Sequence, residues 1–179
     1  MTNDLMTNVE TCHGTSLHND SMTKLYSLVE LKKEINTNPE QWRPLVLTNG
    51  CFDLLHVGHV RYLQTAKTFG KMLVVGVNSD RSVSTIKPQK TPPRPIIPEE
   101  QRAEVLSALE VVDAVVIFSE TTAIELIKAL KPDIYVKGGD YTIETLPEAK
   151  TVQSYGGEIE LIKIEVPTST SEIIRKISG

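Results

Sequence analysis

Short apolar runs alternate along the chain with stretches in which apolar residues return every three or four positions. Such alternation predicts strands and helices in turn. Leu25, Leu28, Leu31 and Ile35 share one stripe, so a helix is expected from Ser21, ending at Asn38-Pro39. Leu45 to Leu47 reads as a buried strand broken by Gly50. A helical pattern then begins near Val57 and stops at Phe69-Gly70. Met72 to Val77 is a second apolar run. Strand, helix and strand in this order predict a βαβ unit with parallel strands and a right-handed crossover.

Ser82 to Pro98 breaks the rhythm, because Pro88, Pro92, Pro93, Pro95 and Pro98 oppose both helix and central strand. A long irregular loop is expected there. Pro98-Glu99-Glu100 opens the next helix, with Val105, Leu106 and Leu109 as its buried face. Ala114 to Ile117 reads as a third strand. Thr122 and Glu125 form a capping box for a helix reaching Leu130. Ile134 to Val136 makes a fourth strand, and Pro147 to Tyr155 a short helix closed by Gly156-Gly157. Glu158 to Ile164 makes a fifth strand, and Ser169 with Glu172 caps a last helix reaching Ile177. The whole predicts one α/β, Rossmann-like domain over residues 21–179, with a five-stranded, mostly parallel sheet and helices on both faces. Residues 1–20 are polar and aperiodic, and read as a mobile arm.

Composition narrows the picture. With 179 residues, 40% apolar and 23% charged, the chain fits one globular domain. A formal net charge of −4 argues against non-specific nucleic-acid binding and against an anionic membrane surface. No apolar run reaches the ~18 residues of a membrane helix. Cys12 and Cys51 make no disulfide framework, and the first residues lack the basic start and apolar core of a secretory signal. A cytoplasmic location is the expectation.

The candidate chemistry sits where strands end. Asn49, Gly50, Asp53, His56 and His59 lie between the first strand and the next helix. There a phosphate can rest on backbone N–H groups and the positive end of a helix. His56 and His59 face one side of a helix, and Gly58 between them lets a ligand approach the backbone. Alone, two histidines at this spacing are half a metal site or ordinary surface residues. A zinc site needs further ligands, and no Cys-x-x-Cys is present, so no protein-held metal is expected. Asn78 and Asp80 follow the second strand, and Asp80 reads equally as a site residue or a helix cap. Lys87, Lys90 and Arg94 lie in the proline-rich stretch without a carboxylate, as a lid over an anionic substrate or a solvated basic loop. Lys137, Gly138, Gly139, Asp140 and Tyr141 follow the fourth strand. Thr168, Ser169, Thr170 and Ser171 open the last helix, where hydroxyls suit phosphate oxygens or simply cap. Loops that follow parallel strands converge on one edge, which makes these groups one candidate site.

The strings Gly-Cys-Phe-Asp-x-x-His-x-Gly-His (Gly50 to His59), Gly-Val-Asn-Ser-Asp (Gly76 to Asp80), Arg94-Pro95, Glu100-Gln101-Arg102 and Ser169-Thr170-Ser171 resemble the cytidylyltransferase-like nucleotidyltransferases. The resemblance covers about Val46 to Ile177. Lys137 to Tyr141 followed by Leu146-Pro147-Glu148-Ala149 is similar to the branch that adenylylates D-glycero-β-D-manno-heptose 1-phosphate in ADP-heptose synthesis for lipopolysaccharide. The resemblance implies that His56 and His59 contact the triphosphate and stabilise the attacked α-phosphate, with Lys87 reaching the reacting phosphates. It implies a nucleotide pocket of Asn49, Gly50, Cys51, Phe52, Asp53, Gly58, Lys137, Gly138, Gly139 and Asp140. Ser169, Thr170 and Ser171 then hold the β- and γ-phosphates, and Asn78, Asp80, Arg94, Arg102 and Tyr141 support the substrates. ATP and a sugar 1-phosphate are the implied partners, Mg²⁺ the implied cofactor carried mainly by the ATP phosphates, and a homodimer the implied assembly. Pro167 stands where the family usually has Gly, Ser171 where it has Thr, and the loop from Gln89 to Pro93 is longer. No stretch matches the sugar kinase often fused to this enzyme, so a separate kinase is expected to supply the acceptor.

A sugar 1-phosphate is already anionic, so the reaction needs alignment and relief of charge repulsion rather than a general base. Imidazoles, a lysine, helix N-termini and Mg²⁺ supply both. The rivals are glycerol 3-phosphate with CTP, FMN with ATP, or a nucleotide-binding module without catalysis.

Overall fold

The central strands are apolar on both faces, and that alternation builds two cores. The computed structural model describes residues 24–88, 92–163 and 168–178. Along β2 (Leu45–Gly50), Leu45 and Leu47 enter one core while Val46 enters the other. In β3 (Met72–Asn78), Val74 faces the first core and Leu73, Val75 and Val77 the second. β4 (Ala114–Phe118) and β5 (Ile134–Gly138) divide in the same way. Strands buried on both faces belong to a parallel sheet covered by helices on both sides.

Two further strands, β1 (Leu25–Tyr26) and β6 (Glu158–Ile162), complete a six-stranded sheet of order β1-β4-β3-β2-β5-β6. Every pairing is parallel. The helices are α1 (Leu28–Thr37), α2 (Pro39–Trp42), α3 (Val57–Lys67), α4 (Asp80–Ile86), α5 (Glu99–Ser107), α6 (Ile124–Leu130), α7 (Ala149–Gln153) and α8 (Thr170–Ser178). α1, α6 and α7 contribute to the first core, α3 and α5 to the second.

Where α3 turns into β3, Gly70 passes against the chain before β2. A Cβ there would lie 2.6 Å from the Pro44 carbonyl oxygen and from Val46 Cγ2. No side chain fits that approach.

The α/β architecture agrees with the sequence reading, and the details differ at several points. The sheet has six strands rather than five. The extra one takes Leu25, which was expected on a helix. Ser27 and Glu30 form a capping box that starts α1 only at Leu28, leaving Leu25 and Tyr26 extended beside Val115 and Val116. Ser82 to Ile86 is helical, because Ser79 Oγ caps the Ser82 N–H and the prolines begin only at Pro88. In α5 the buried residues are Arg102, Ala103 and Leu106, while Val105 is 49% exposed. Thr122 does not cap α6. The N-cap is Ala123, whose own N–H donates to Oε1 of the buried Glu148 at 3.1 Å. The expected arm at residues 1–20, Ile164, Pro167 and the stretch from Gln89 to Thr91 lie outside the described residues.

Candidate active site

β2 has β3 and β4 on one side and β5 and β6 on the other. The chain therefore winds away from β2 in both directions, and the carboxyl ends of β2 and β5 border a crevice. One open cleft of about 550 Å³ lies at the carboxyl end of β2, and of the residues expected in the nucleotide pocket Asn49, Gly50, Lys137, Gly138, Gly139 and Asp140 do not line it. Its lining comes from four places: Cys51, Phe52 and Asp53 after β2; His56, Gly58 and His59 at the start of α3; Lys87 and Arg94 from the loop after α4; and Thr168, Ser169, Thr170 and Ser171 at the start of α8. Two helices of nine residues or more thus point their N-termini into one space.

The turn after β2 is built on Phe52, whose backbone has φ of 45°. Its ring packs 5.3 Å from the His59 ring. The His59 and His56 rings stack with centroids 3.9 Å apart. His56 caps α3, its Nδ1 accepting the Gly58 N–H at 3.2 Å. In the neutral ring the proton therefore sits on Nε2, which makes that nitrogen a donor. Burial lowers the His56 pKa from its usual value. Burial, and then the neighbouring His56, push His59 down to about 4. Both imidazoles are neutral at pH 7. His59 Nδ1 is buried and has no hydrogen-bond partner among the described residues.

Asp53 lines the cleft, and its carboxylate is engaged. It accepts from Arg94 Nε, from the Ile96 N–H at 2.8 Å and from the Ile97 N–H at 3.0 Å. Arg102 works from the other side of the same loop. Its Nε donates to the Ile97 carbonyl at 2.8 Å, its Nη1 to the Cys51 carbonyl and its Nη2 to Asp80 Oδ1 at 2.6 Å. Buried and donating from all three nitrogens, Arg102 braces the site and does not line the cleft. Asp80 is the first residue of α4, which Ser79 caps, and it too lies outside the cleft. Asn78 is buried at the end of β3 and donates to Ser82 Oγ at 2.9 Å.

Behind the cleft Asn49 joins the ends of β2 and β5. Its Oδ1 accepts from Tyr135 Oη at 2.6 Å and from Lys137 Nζ at 3.0 Å. Lys137 also lies 5.7 Å from the centre of the Tyr141 ring. Gly50 and Gly138 are the last residues of their strands. Gly139 has φ of +116°, a conformation that favours glycine, and its N–H donates to Ile162 at 3.2 Å. Asp140 and Tyr141 are exposed. On α8, Ser169 Oγ accepts the Glu172 N–H at 3.1 Å, and Thr170 Oγ1 donates to the Leu54 carbonyl at 3.4 Å. The cap read from sequence thus forms, and Ser171 stays exposed.

Tyr135 and Glu148 received no role from sequence reasoning. Tyr135 had a signal, since it lies two residues before Lys137 and so shares its strand face. Glu148 stands in the Leu146 to Ala149 run that carries the family resemblance, but its burial was not legible, because that depends on where α6 begins. Among the described residues no group of three or more His, Cys, Asp and Glu gathers to hold a metal ion. No helix of the described residues is long and apolar enough to cross a membrane.

Stacked neutral imidazoles, a lysine, an arginine and a row of hydroxyls at a switch-point crevice define a nucleotidyltransferase. Residues 47–179 match the model of the cytidylyltransferase-like family, and the chain belongs to that family. It is 50% identical over 160 residues to the bifunctional protein HldE of Geotalea uraniireducens, covering 89% of this chain and 32% of that protein. The chain thus spans about a third of that relative's length. A crystal structure of the lipopolysaccharide core biosynthesis protein from Thermoplasma volcanium GSS1 is similar at TM-score 0.54 and 30% identity, over 69% of this chain and 97% of that one. Pantoate-beta-alanine ligase from Francisella tularensis shares the fold at TM-score 0.59 and 13% identity, over 87% of this chain and 73% of that one.

Proposed function

We propose that this chain transfers AMP from MgATP to D-glycero-β-D-manno-heptose 1-phosphate, giving ADP-heptose and pyrophosphate. The observation that carries the reading is the convergence of His56, His59, Lys87 and the Ser169–Ser171 hydroxyls on one cleft at two helix N-termini. The likeness to HldE and to a lipopolysaccharide core biosynthesis protein supports the sugar-nucleotide context. The run from Lys137 to Tyr141 with Leu146 to Ala149 supports the heptose branch.

In this reading the triphosphate lies along the cleft, its β- and γ-phosphates against Ser169, Thr170 and the start of α8. A phosphate oxygen of the acceptor attacks the α-phosphorus, the bond to the bridging oxygen of the β-phosphate breaks, and pyrophosphate leaves. No proton need be removed from the nucleophile. His56 Nε2–H donates to the oxygens of the α-phosphate as charge gathers there, and Lys87 offsets the repulsion between two anions. Asp53, the carboxylate of the cleft lining, is occupied by Arg94 and two backbone N–H groups, so Mg²⁺ enters on ATP as part of the substrate. The proposed assembly is a homodimer in the cytoplasm, with the oligomeric state to be read by light scattering.

Pyrophosphate release with MgATP, with and without heptose 1-phosphate, tests the reaction, with CTP, glycerol 3-phosphate and FMN as alternative substrates. Release only with ATP and the heptose phosphate is expected. Release with another pair overturns the substrate assignment. Unchanged turnover in His56→Ala overturns the catalytic one.

A further inference from the structure

Tyr62 is a buried residue of α3 that the proposed reaction does not use. It stands three positions after His59, so the two share one side of the helix. Long helical side chains lean toward the N-terminus of their helix, which carries the Tyr62 ring toward the end of α3 that opens on the cleft. There its hydroxyl meets the sheet. It donates to the Val136 carbonyl at 3.1 Å and lies 2.6 Å from Thr48 Oγ1. A phenol has one proton, and Val136 takes it, so Thr48 is the donor in the second bond. Burial raises the phenol above its usual pKa, which keeps that proton in place at pH 7.

Thr48 and Val136 are the last residues paired between β2 and β5. Beyond them β2 goes on beside β3, and β5 beside β6. The hydroxyl therefore bridges the two strands at the rung where they part. The bond from Thr48 to Tyr62 also closes a loop in the chain, between positions 14 apart. Cys51, Phe52, Asp53, His56, Gly58 and His59 line the cleft, and all of them lie inside that loop. Leu63 and Ala66 hold α3 to the second core by apolar contact, which has no direction. Among the described residues, side chains of α3 make directional links to the strands at two places. One is Tyr62, close to the histidines, and the other is Lys67 at the far end, bonded to Asp113 just ahead of β4.

We propose that Tyr62 is a positioning residue for the two histidines. By bonding the last rung of β2 and β5 it fixes how far α3 advances toward the cleft and how the helix is turned, and so where the His56 and His59 rings stand. Tyr62 itself does not line the cleft. Its effect on turnover rests on the reaction proposed above, and its effect on the rings does not.

Tyr62→Phe keeps the ring and removes the link. Lys67→Met cuts the other link and controls for a general loss of stability. The first readout is NMR of the full chain carrying ¹⁵N-histidine, at pH 7 and without nucleotide. Tyr62→Phe is expected to displace the ring resonances of His56 and His59, because their stacking on each other and against Phe52 sets those positions. Lys67→Met is expected to leave them in place. Unmoved ring resonances in folded Tyr62→Phe, or an equal displacement in Lys67→Met, overturn the proposal. Should Tyr62→Phe not fold, Thr48→Val keeps the shape and withdraws the donor; it is expected to displace the same resonances, and no displacement overturns the proposal likewise. The second readout is pyrophosphate release. In Tyr62→Phe kcat is expected to fall about tenfold with the KM for ATP within about twofold, the pattern of a contact made in the transition state. An equal fall in Lys67→Met overturns the positioning role. A parent without turnover would overturn the reaction and leave the ring displacement to decide the anchor.

Discussion

Asp53 and Arg94 form a buried ion pair that ties the turn after β2 to the loop before α5. The carboxylate also takes the Ile96 and Ile97 N–H groups, so one side chain fixes three points of that loop. Removing one member of such a pair leaves an unpaired buried charge. Asp53→Ala is expected to lose about 3–5 kcal/mol of stability, read by denaturant unfolding. A loss below about 1 kcal/mol, the range of an exposed pair, would mean the contact contributes little.

His59 gives the fold an acid limit. Its pKa is about 4 in the folded chain, against 6.5 for the free side chain. Between these values the unfolded chain binds the proton and the folded one does not, so stability rises with pH across that window. The contribution is complete above pH 6.5 and is lost as pH falls toward 4. Unfolding free energies from pH 4.5 to 7.5 are expected to slope less in His59→Gln than in the parent. Parallel slopes would mean that another group sets the acid limit.

The hydroxyls of α8 are assigned to the phosphates and not to the sugar. Ser169→Ala combined with Thr170→Ala is expected to raise the KM for ATP about tenfold, the equivalent of two hydrogen bonds of roughly 0.5–1 kcal/mol each. The KM for heptose 1-phosphate is expected to stay within about twofold. A change confined to the acceptor would reverse the assignment.

Gly70→Ala is a test remote from the chemistry. Its methyl meets a backbone oxygen, which cannot rotate aside as a side-chain tip can. An overpacking loss of about 1–3 kcal/mol is expected in thermal unfolding, with KM values unchanged. A neutral substitution would mean that the chain between Pro44 and Val46 yields easily.

The sequence made the architecture readable wherever burial is two-sided, because an apolar run such as Leu73 to Val75 has few other interpretations. Of the loops expected at one edge, those after β2 and β6 line the cleft, while Asn78 and Asp80 after β3 and Lys137 to Tyr141 after β5 do not. Local signals misled where a neighbour in space replaced a neighbour in sequence. Thr122 and Glu125 had the spacing of a cap, but α6 starts after Ala123, whose N–H is taken by Glu148 just ahead of α7. Leu25 had the phase of a helix, but Ser27 stopped the helix short and β4 offered a partner. Arg102 is the clearest case. Its charge and place before the site were visible, while its three backbone and carboxylate partners come from three separate segments that only the fold unites.

The hydroxyls of α8 follow β6 in the chain. Every strand of the sheet has therefore been synthesised before the groups assigned to the triphosphate emerge. Completion of the fold and completion of the cleft are separate events in chain order, joined by a contact as slight as that from Thr170 to the Leu54 carbonyl. A nascent chain that has built its whole sheet still lacks the wall of the cleft that Thr168 to Ser171 supply.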